Sequence, residues 1–205
     1  MAFAAAGWAP RVQRLPEGRD DAHLAILEIV EQPPHAAHLE LAAAIPRRRA
    51  DLRRFPAGRI PSATVELLHV RAARLGVELA VVPRAQWIRH DDGQVTLRFS
   101  RAVTDPEDDA ILLVLGTRQD DDAMRLRAGE ALSHLSLTAT ALGLASCPLT
   151  EPLNEMRTRL ELACEVFDGA AHPQALIRLG VPPADDVPEG QTERRPVGEI
   201  TEWTT

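Results

Sequence analysis

Lysine and tyrosine are absent from this sequence, so all 23 of its basic residues are arginine. Together with abundant alanine and 16 prolines, that is the bias a GC-rich genome produces. It strips a single arginine of much of its meaning, because arginine at a phosphate site signals bidentate recognition only where lysine was an option. Cysteine is scarce too. Cys147 and Cys164 allow one disulfide at most, which excludes a disulfide framework, and neither stands at metal-ligand spacing. There is no excess of positive charge: the formal charge of −7 argues against general nucleic-acid binding and against an anionic membrane surface. No apolar run reaches the ~18 residues of a membrane span. The opening MAFAAAGWAP has no basic stretch ahead of its alanines and is too short for a signal peptide. A cytoplasmic location is the default expectation. No Walker loop or dinucleotide-type glycine motif occurs, so a nicotinamide held in a Rossmann site is not supported.

What is present suffices for one domain with a sizeable core: 205 residues, of which 45% are apolar. Strands are expected at 25–30, 77–82, 95–99, 110–115 and 175–179, and helices at 35–45 and 153–163. A further helix is capped by Ser62 and closed by Gly76. Residues 16–21 are turn-like. Residues 3–8 read as the tail of an apolar helix reaching Gly7, as though the chain started inside an element of a longer relative. Helices and strands mix without strict alternation, which favours an α+β fold.

The most informative stretch runs from Gly129 to Pro152. Met124, Ala128, Ala131, Leu132, Leu135, Ala139 and Leu142 recur at helical spacing, from a start near Asp122. Gly143 is placed to end that helix in a left-handed conformation. Residues 144–149 are then too apolar for an exposed loop. Two readings stand: a helix followed by a core strand, or a rigid helix that hands backbone amides to a buried spot holding a flat cofactor.

Candidate chemistry is sparse. Arg47, Arg48, Arg49, Arg53 and Arg54 crowd between two helices, suiting either a phosphate or a solvated basic turn. Arg194 and Arg195 form a second basic pair. His35 and His38 stand at i,i+3 with no acid or cysteine at ligand spacing, so they read as exposed helix histidines. His134 follows Ser133, but no acid completes a triad. Cys147 has no adjacent base and reads as a buried, inert thiol.

These pieces in this order resemble the flavin-dependent nitroreductase family. The resemblance is carried by the arginine-rich segment IPRRRADLRRFP, the loop LGLASCPLTEP after a long helix, the strand ALIRLG and the terminal TERRPVGEI. More narrowly, they look like its actinobacterial dormancy-associated branch, in which two nitroreductase-like halves are joined in one chain. The resemblance implies an α+β sandwich, a central and mainly antiparallel sheet flanked by helices. It also implies bound FMN, NAD(P)H as transient reductant, small nitro compounds or quinones as substrates, and a homodimer.

Carried over by position, the resemblance puts the first phosphate contacts on Arg48 and Arg49. The family's following hydroxyl and basic residue fall on Ala50 and Leu52, and Arg53 is offered as a substitute for the second. Pro148, Leu149, Thr150 and Glu151 correspond to the loop beside the flavin ring, with main-chain N–H groups facing it. Arg195, with Arg194 as neighbour, corresponds to the terminal arginine that reaches the phosphate. A PSxxNxQPW-like segment that holds the flavin's other edge is missing; after Ala72 and Ala73 the sequence runs RLGVELAVV. The chain therefore reads as one nitroreductase-like domain resembling the C-terminal half of the branch, with 1–45 as a remnant of a preceding half and 46–205 as core. Three roles follow: an FMN-dependent oxidoreductase, a flavin-sequestering protein with little turnover, or a non-enzymatic half acting as an assembly partner.

Overall fold

The apolar run that begins at residue 110 becomes the strand around which the rest is built. The computed structural model describes residues 1–17, 23–83, 87–89, 95–97, 108–184 and 195–202. The chain opens with one helical turn, α1 (Ala2–Ala5), and a hairpin of β1 (Trp8–Arg14) and β2 (Ala25–Glu31). Then follow α2 (Ala36–Ala44), α3 (Ser62–Arg74), β3 (Glu78–Val82), β4 (Trp87–Arg89), β5 (Val95–Leu97) and β6 (Ile111–Thr117). The rest of the chain supplies α4 (Asp122–Ala141), β7 (Ala145–Leu149) and a 3-10 turn (Glu151–Asn154). After these come α5 (Met156–Phe167), β8 (His172–Gly180) and α6 (Val197–Ile200).

The main sheet runs β3-β6-β8-β7, and each neighbouring pair is antiparallel. β6 and β8 lie in the middle and are covered on both faces, which is why both read as continuous apolar runs. Alternation sorts their side chains. Leu112, Val114 and Leu176 pack with Phe55, Cys147 and Leu162 on one face. Leu113, Leu115, Ile177 and Leu179 meet Leu68 and Ala72 of α3 and Ala131, Leu135 and Ala139 of α4 on the other. The product is the expected α+β sandwich, helices over both faces of an antiparallel sheet. Among the described residues no helix is long and apolar enough to cross a membrane.

Helix ends follow local chemistry. Asp121 caps α4, its Oδ1 accepting the Met124 N–H at 2.8 Å. Gly143 closes that helix at φ +76°. Ser62 is not the expected cap: Pro61 holds that position and Ser62 is the first helical residue, with no side-chain capping bond. The fixed φ of proline pre-sets the helix entry there. The helix expected at 153–163 is split, because Glu155 is extended between the 3-10 turn and α5. The strand expected at 175–179 runs longer, and β1, β4 and α6 were not anticipated. Of the strand expected at 95–99, residues 98–99 lie outside the described residues. At Gly180 a Cβ would lie 2.7 Å from Cγ of Phe55. The absence of a side chain there lets the Phe55 ring settle onto β8 and anchors the segment that carries the arginines.

Candidate functional site

The arginine run begins as α2 ends. The amides of Arg47 and Arg48 both donate to the Ala44 carbonyl, at 3.1 and 2.9 Å, and tighten the turn at Pro46. The chain then meets β7, an edge strand with one hydrogen-bonding side open. Ala50 and Ser146 form an isolated parallel bridge, and the Asp51 N–H donates to the Ser146 carbonyl at 3.0 Å. The run is thus docked on the sheet rather than left as a solvated turn.

Docking creates a cleft of about 230 Å³. Its walls are Arg47, Arg49, Asp51 and Arg53 from the run, Thr140 and Leu144 from around the end of α4, Ala145 and Ser146 of β7, and Pro182 and Pro183 beyond β8. Within it Asp51 locks Arg53: Nη2 of Arg53 meets Oδ2 at 2.7 Å, and both Nε and the backbone N–H donate to Oδ1 at 3.0 Å. Partial burial pushes the Asp51 carboxyl up, but the hydrogen bonds and charge of Arg53 outweigh it and the net direction is down. Asp51 therefore stays ionised at neutral pH.

Two of the lining residues, Thr140 and Ser146, carry hydroxyls. That of Thr140 donates to the Ser136 carbonyl at 3.0 Å. That of Ser146 is buried and has no hydrogen-bond partner among the described residues.

The structure brings together part of the predicted set. Arg49 and Arg53 line the cleft, joined by Arg47, to which the resemblance gives no role; Arg48 is half-buried and does not line it. Pro148 and Leu149 continue along β7 from Ser146, and Thr150 and Glu151 follow as the exposed start of the 3-10 turn. None of these four lines the cleft. Pro148 has no N–H to offer, which an edge strand tolerates. Arg195 is exposed just before α6, and Arg194 lies outside the described residues. Of the two readings of the stretch from Gly129 to Pro152, helix followed by buried strand is what forms, and the outer edge of that strand borders the cleft.

The remaining candidates take structural roles. Cys147 is buried, with its Sγ 3.8 Å from the Pro148 carbonyl. Nδ1 of His35 accepts the Ala37 N–H and caps α2. Burial first, and then the Arg71 guanidinium, push the His134 imidazole below its ordinary value, so it is neutral at neutral pH. Sequence reasoning missed Asp51, Ser146, Asp108 and Arg178. Only Arg178 carried a local signal, as the single charge inside ALIRL.

No protein-family model matches the chain. Over 252 aligned residues it is 34% identical to a Mycobacterium tuberculosis protein named "Putative NAD(P)H nitroreductase Rv3131", covering 99% of this chain and 73% of that one. The chain belongs to the nitroreductase family. The same organism's acg protein, which carries the same description, is 40% identical over 89 residues, 43% of this nitroreductase-family chain and 27% of its own. Among solved structures, the nitroreductase with bound FMN from Bacteroides fragilis superposes with a TM-score of 0.57 at 16% identity. That match takes in 80% of this chain and 99% of the other. At such low identity it speaks for the fold alone, and it extends over nearly the whole of that subunit. The alignment with Rv3131 is longer than the 205 residues available here, so Rv3131 has stretches without a counterpart in this chain.

Proposed function

We propose that the chain is an FMN-binding oxidoreductase of nitroreductase type, taking hydride from NAD(P)H and delivering reducing equivalents to small nitro compounds or quinones. The supporting observation is the charge of the cleft. Three guanidinium groups against one carboxylate leave two net positive charges among its lining residues, and a phosphate monoester carries about −1.5 to −2 at neutral pH. Arg47 and Arg49 supply charge-assisted hydrogen bonds to the phosphate, and Asp51 keeps Arg53 in one orientation beside it. Arg48 flanks this set, while Arg195 with Arg194 comes from the other end of the chain. Pro148, Leu149, Thr150 and Glu151 lie beside the ring. FMN, when bound, supplies the redox chemistry; the protein supplies grip, orientation and an apolar surround.

A cleft of about 230 Å³ falls below the ~300–1,000 Å³ typical of small-molecule sites. A second surface is needed to enclose a flavin, and we assign it to a second copy of the chain in a homodimer. One observation favours a second reading, flavin sequestration with little turnover: Ala50 and Leu52 occupy positions of a hydroxyl and a basic residue, and no PSxxNxQPW-like segment holds the ring's other edge.

The test is a titration of FMN into the purified protein, followed by quenching of flavin fluorescence. Anaerobic addition of NADH or NADPH and then of a nitroaromatic compound or quinone completes it. Binding, bleaching and reoxidation are expected. Absence of FMN binding overturns both readings, and binding without bleaching selects sequestration.

A further inference from the structure

We infer that Asp51 sets the anion affinity of the cleft: its carboxylate occupies the guanidinium fork of Arg53, where a phosphate would otherwise dock, and holds the grip on FMN below what three arginines could exert. The inference rests on the flavin-binding reading and adds to it a residue that tunes affinity from within the site. Its basis is geometric. Nε and Nη2 of Arg53 meet the two carboxylate oxygens of Asp51 at 3.0 and 2.7 Å, the two-pronged contact by which arginine also holds a phosphate. Both residues line the cleft, and neither side chain is sealed off: 14% of Asp51 and 28% of Arg53 remain exposed. Among the described lining residues Asp51 is the single acid. Its charge cancels that of Arg53 at a distance, which leaves Arg47 and Arg49 to supply the net charge that a ligand meets.

The chain puts this carboxylate in place before any ligand arrives. Its Oδ1 also accepts the N–H of Arg53, two residues on, in the local turn that aspartate favours. The Asp51 N–H is bound to the Ser146 carbonyl and Ala50 is bridged to Ser146, so the turn is pinned to β7. Nη2 of the buried Arg178 holds the Arg53 carbonyl at 3.2 Å. Burial raises the Asp51 carboxyl, but the hydrogen bonds and charge of Arg53, with the charge of Arg178, bring it below its ordinary value, so it is ionised throughout the neutral range. A fixed internal anion acts in two ways. It relieves repulsion among crowded arginines while the cleft is empty, and it repels an incoming dianion that must compete with it for the Arg53 fork. Removing its charge should therefore destabilise the ligand-free protein and strengthen anion binding. A residue that served only to orient Arg53 would not give these opposite signs.

The experiment compares FMN with riboflavin, which lacks the phosphate, in the wild type, Asp51→Asn and Asp51→Asn/Arg53→Gln. Binding is read by flavin fluorescence quenching at fixed ionic strength, and stability by thermal melts without ligand. Removing a like charge from beside a dianion in a partly screened cleft predicts that Asp51→Asn tightens FMN binding about tenfold. The same variant should leave riboflavin binding unchanged and melt below the wild type. Asp51→Asn/Arg53→Gln restores the wild-type net charge of the cleft and should return the preference for FMN to near its wild-type level. An unchanged or reduced preference in Asp51→Asn overturns the inference and leaves the flavin-binding reading intact. A double variant as tight as Asp51→Asn also overturns it, because the added grip would then not come from Arg53. So do equal gains for FMN and riboflavin, which would mean that the substitution reshapes the pocket. Wild-type protein that binds neither flavin removes the underlying reading, and the inference with it.

Discussion

Arg178 of β8 and Asp108, just ahead of β6, form an ion pair whose two side chains are both fully withdrawn from solvent. The pair also fastens the segment that carries the arginines. Asp108 Oδ1 accepts the N–H of Phe55 at 3.1 Å, Arg178 Nη2 donates to the Arg53 carbonyl at 3.2 Å, and the guanidinium lies 4.7 Å from the Phe55 ring centroid. Removing one partner strands the other's charge in the core. Arg178→Met should cost about 3–5 kcal/mol, read as a lower urea midpoint with an unchanged slope. In Arg178→Met/Asp108→Leu neither charge remains, so the double variant should lose clearly less than the sum of the single ones. Additive losses would show that the two side chains do not depend on each other.

This pair marks the boundary of what the sequence discloses. α4 and β6 were legible because their signals are local: a helical face ended by Gly143, and an apolar run too continuous for an exposed strand. β1 was not, since WAPRVQR contains Pro10 and two arginines and becomes a strand through pairing with β2, where Val12 meets Leu27 and Pro10 meets Ile29. A charge inside ALIRL announces that Arg178 needs a buried partner, but no local pattern identifies Asp108. Ser146 was invisible for a related reason. Its environment is made by a bridge to Ala50 and by arginines remote in sequence, and neither leaves a periodicity. The cleft is legible only once the chain has closed on itself.

Asp120 gives a pH-dependent prediction at a distance from the cleft. Its Oδ2 accepts from Arg159 Nη2 at 2.7 Å, and its Oδ1 accepts from Arg125 Nε and Gln174 Nε2, each at 3.1 Å. It therefore ties the start of α4 to α5 and β8. Hydrogen bonds from Gln174, Arg125 and Arg159 hold its carboxyl well below the ordinary carboxylate value. A depressed folded-state value contributes stability that is present above the unfolded value near 4 and lost as pH falls below it. Allowing for partial solvent screening, Asp120→Asn should cost about 1–2 kcal/mol at pH 7. The gap from wild type should narrow below about pH 4, which thermal melts at a series of pH values will show. A gap that widens on acidification would reverse the assigned sign.

The two thiols should behave differently. Cys164 is exposed on α5, whereas Cys147 is 1% exposed beneath the β7 edge. A thiolate-specific reagent at mild alkaline pH should modify one cysteine per native chain, and mass mapping should place the label on Cys164. Cys147 should react only in denaturant. Comparable rates at the two sites would mean that β7, and with it the cleft wall, opens on the timescale of labelling.

The hairpin of β1 and β2 carries the prediction for assembly. Pairing places Trp8, Pro10, Val12, Leu27 and Ile29 on one face, with Arg14 and Glu31 towards its ends, while Ala9, Arg11, Gln13, Ile26, Glu28 and Val30 lie on the other. Leu27 is 50% exposed and Ile29 47%, unusual for apolar residues in the middle of a strand. A two-stranded ribbon is marginal by itself, and the Arg14–Glu130 pair at 2.8 Å ties this one to α4. In the proposed homodimer this apolar face is covered by the second copy. Burying the exposed half of each side chain is worth about 1 kcal/mol, and twofold symmetry counts every substitution twice. Leu27→Ser/Ile29→Ser should therefore weaken dimerisation by up to about 4 kcal/mol, approaching a thousandfold in the dissociation constant. The variant chain should still fold, because both side chains are half-exposed within their own subunit. Sedimentation equilibrium measures the association directly. An unchanged dimer constant would place the interface elsewhere, whereas a monomeric variant that has also lost FMN affinity would tie the hairpin to closure of the flavin site.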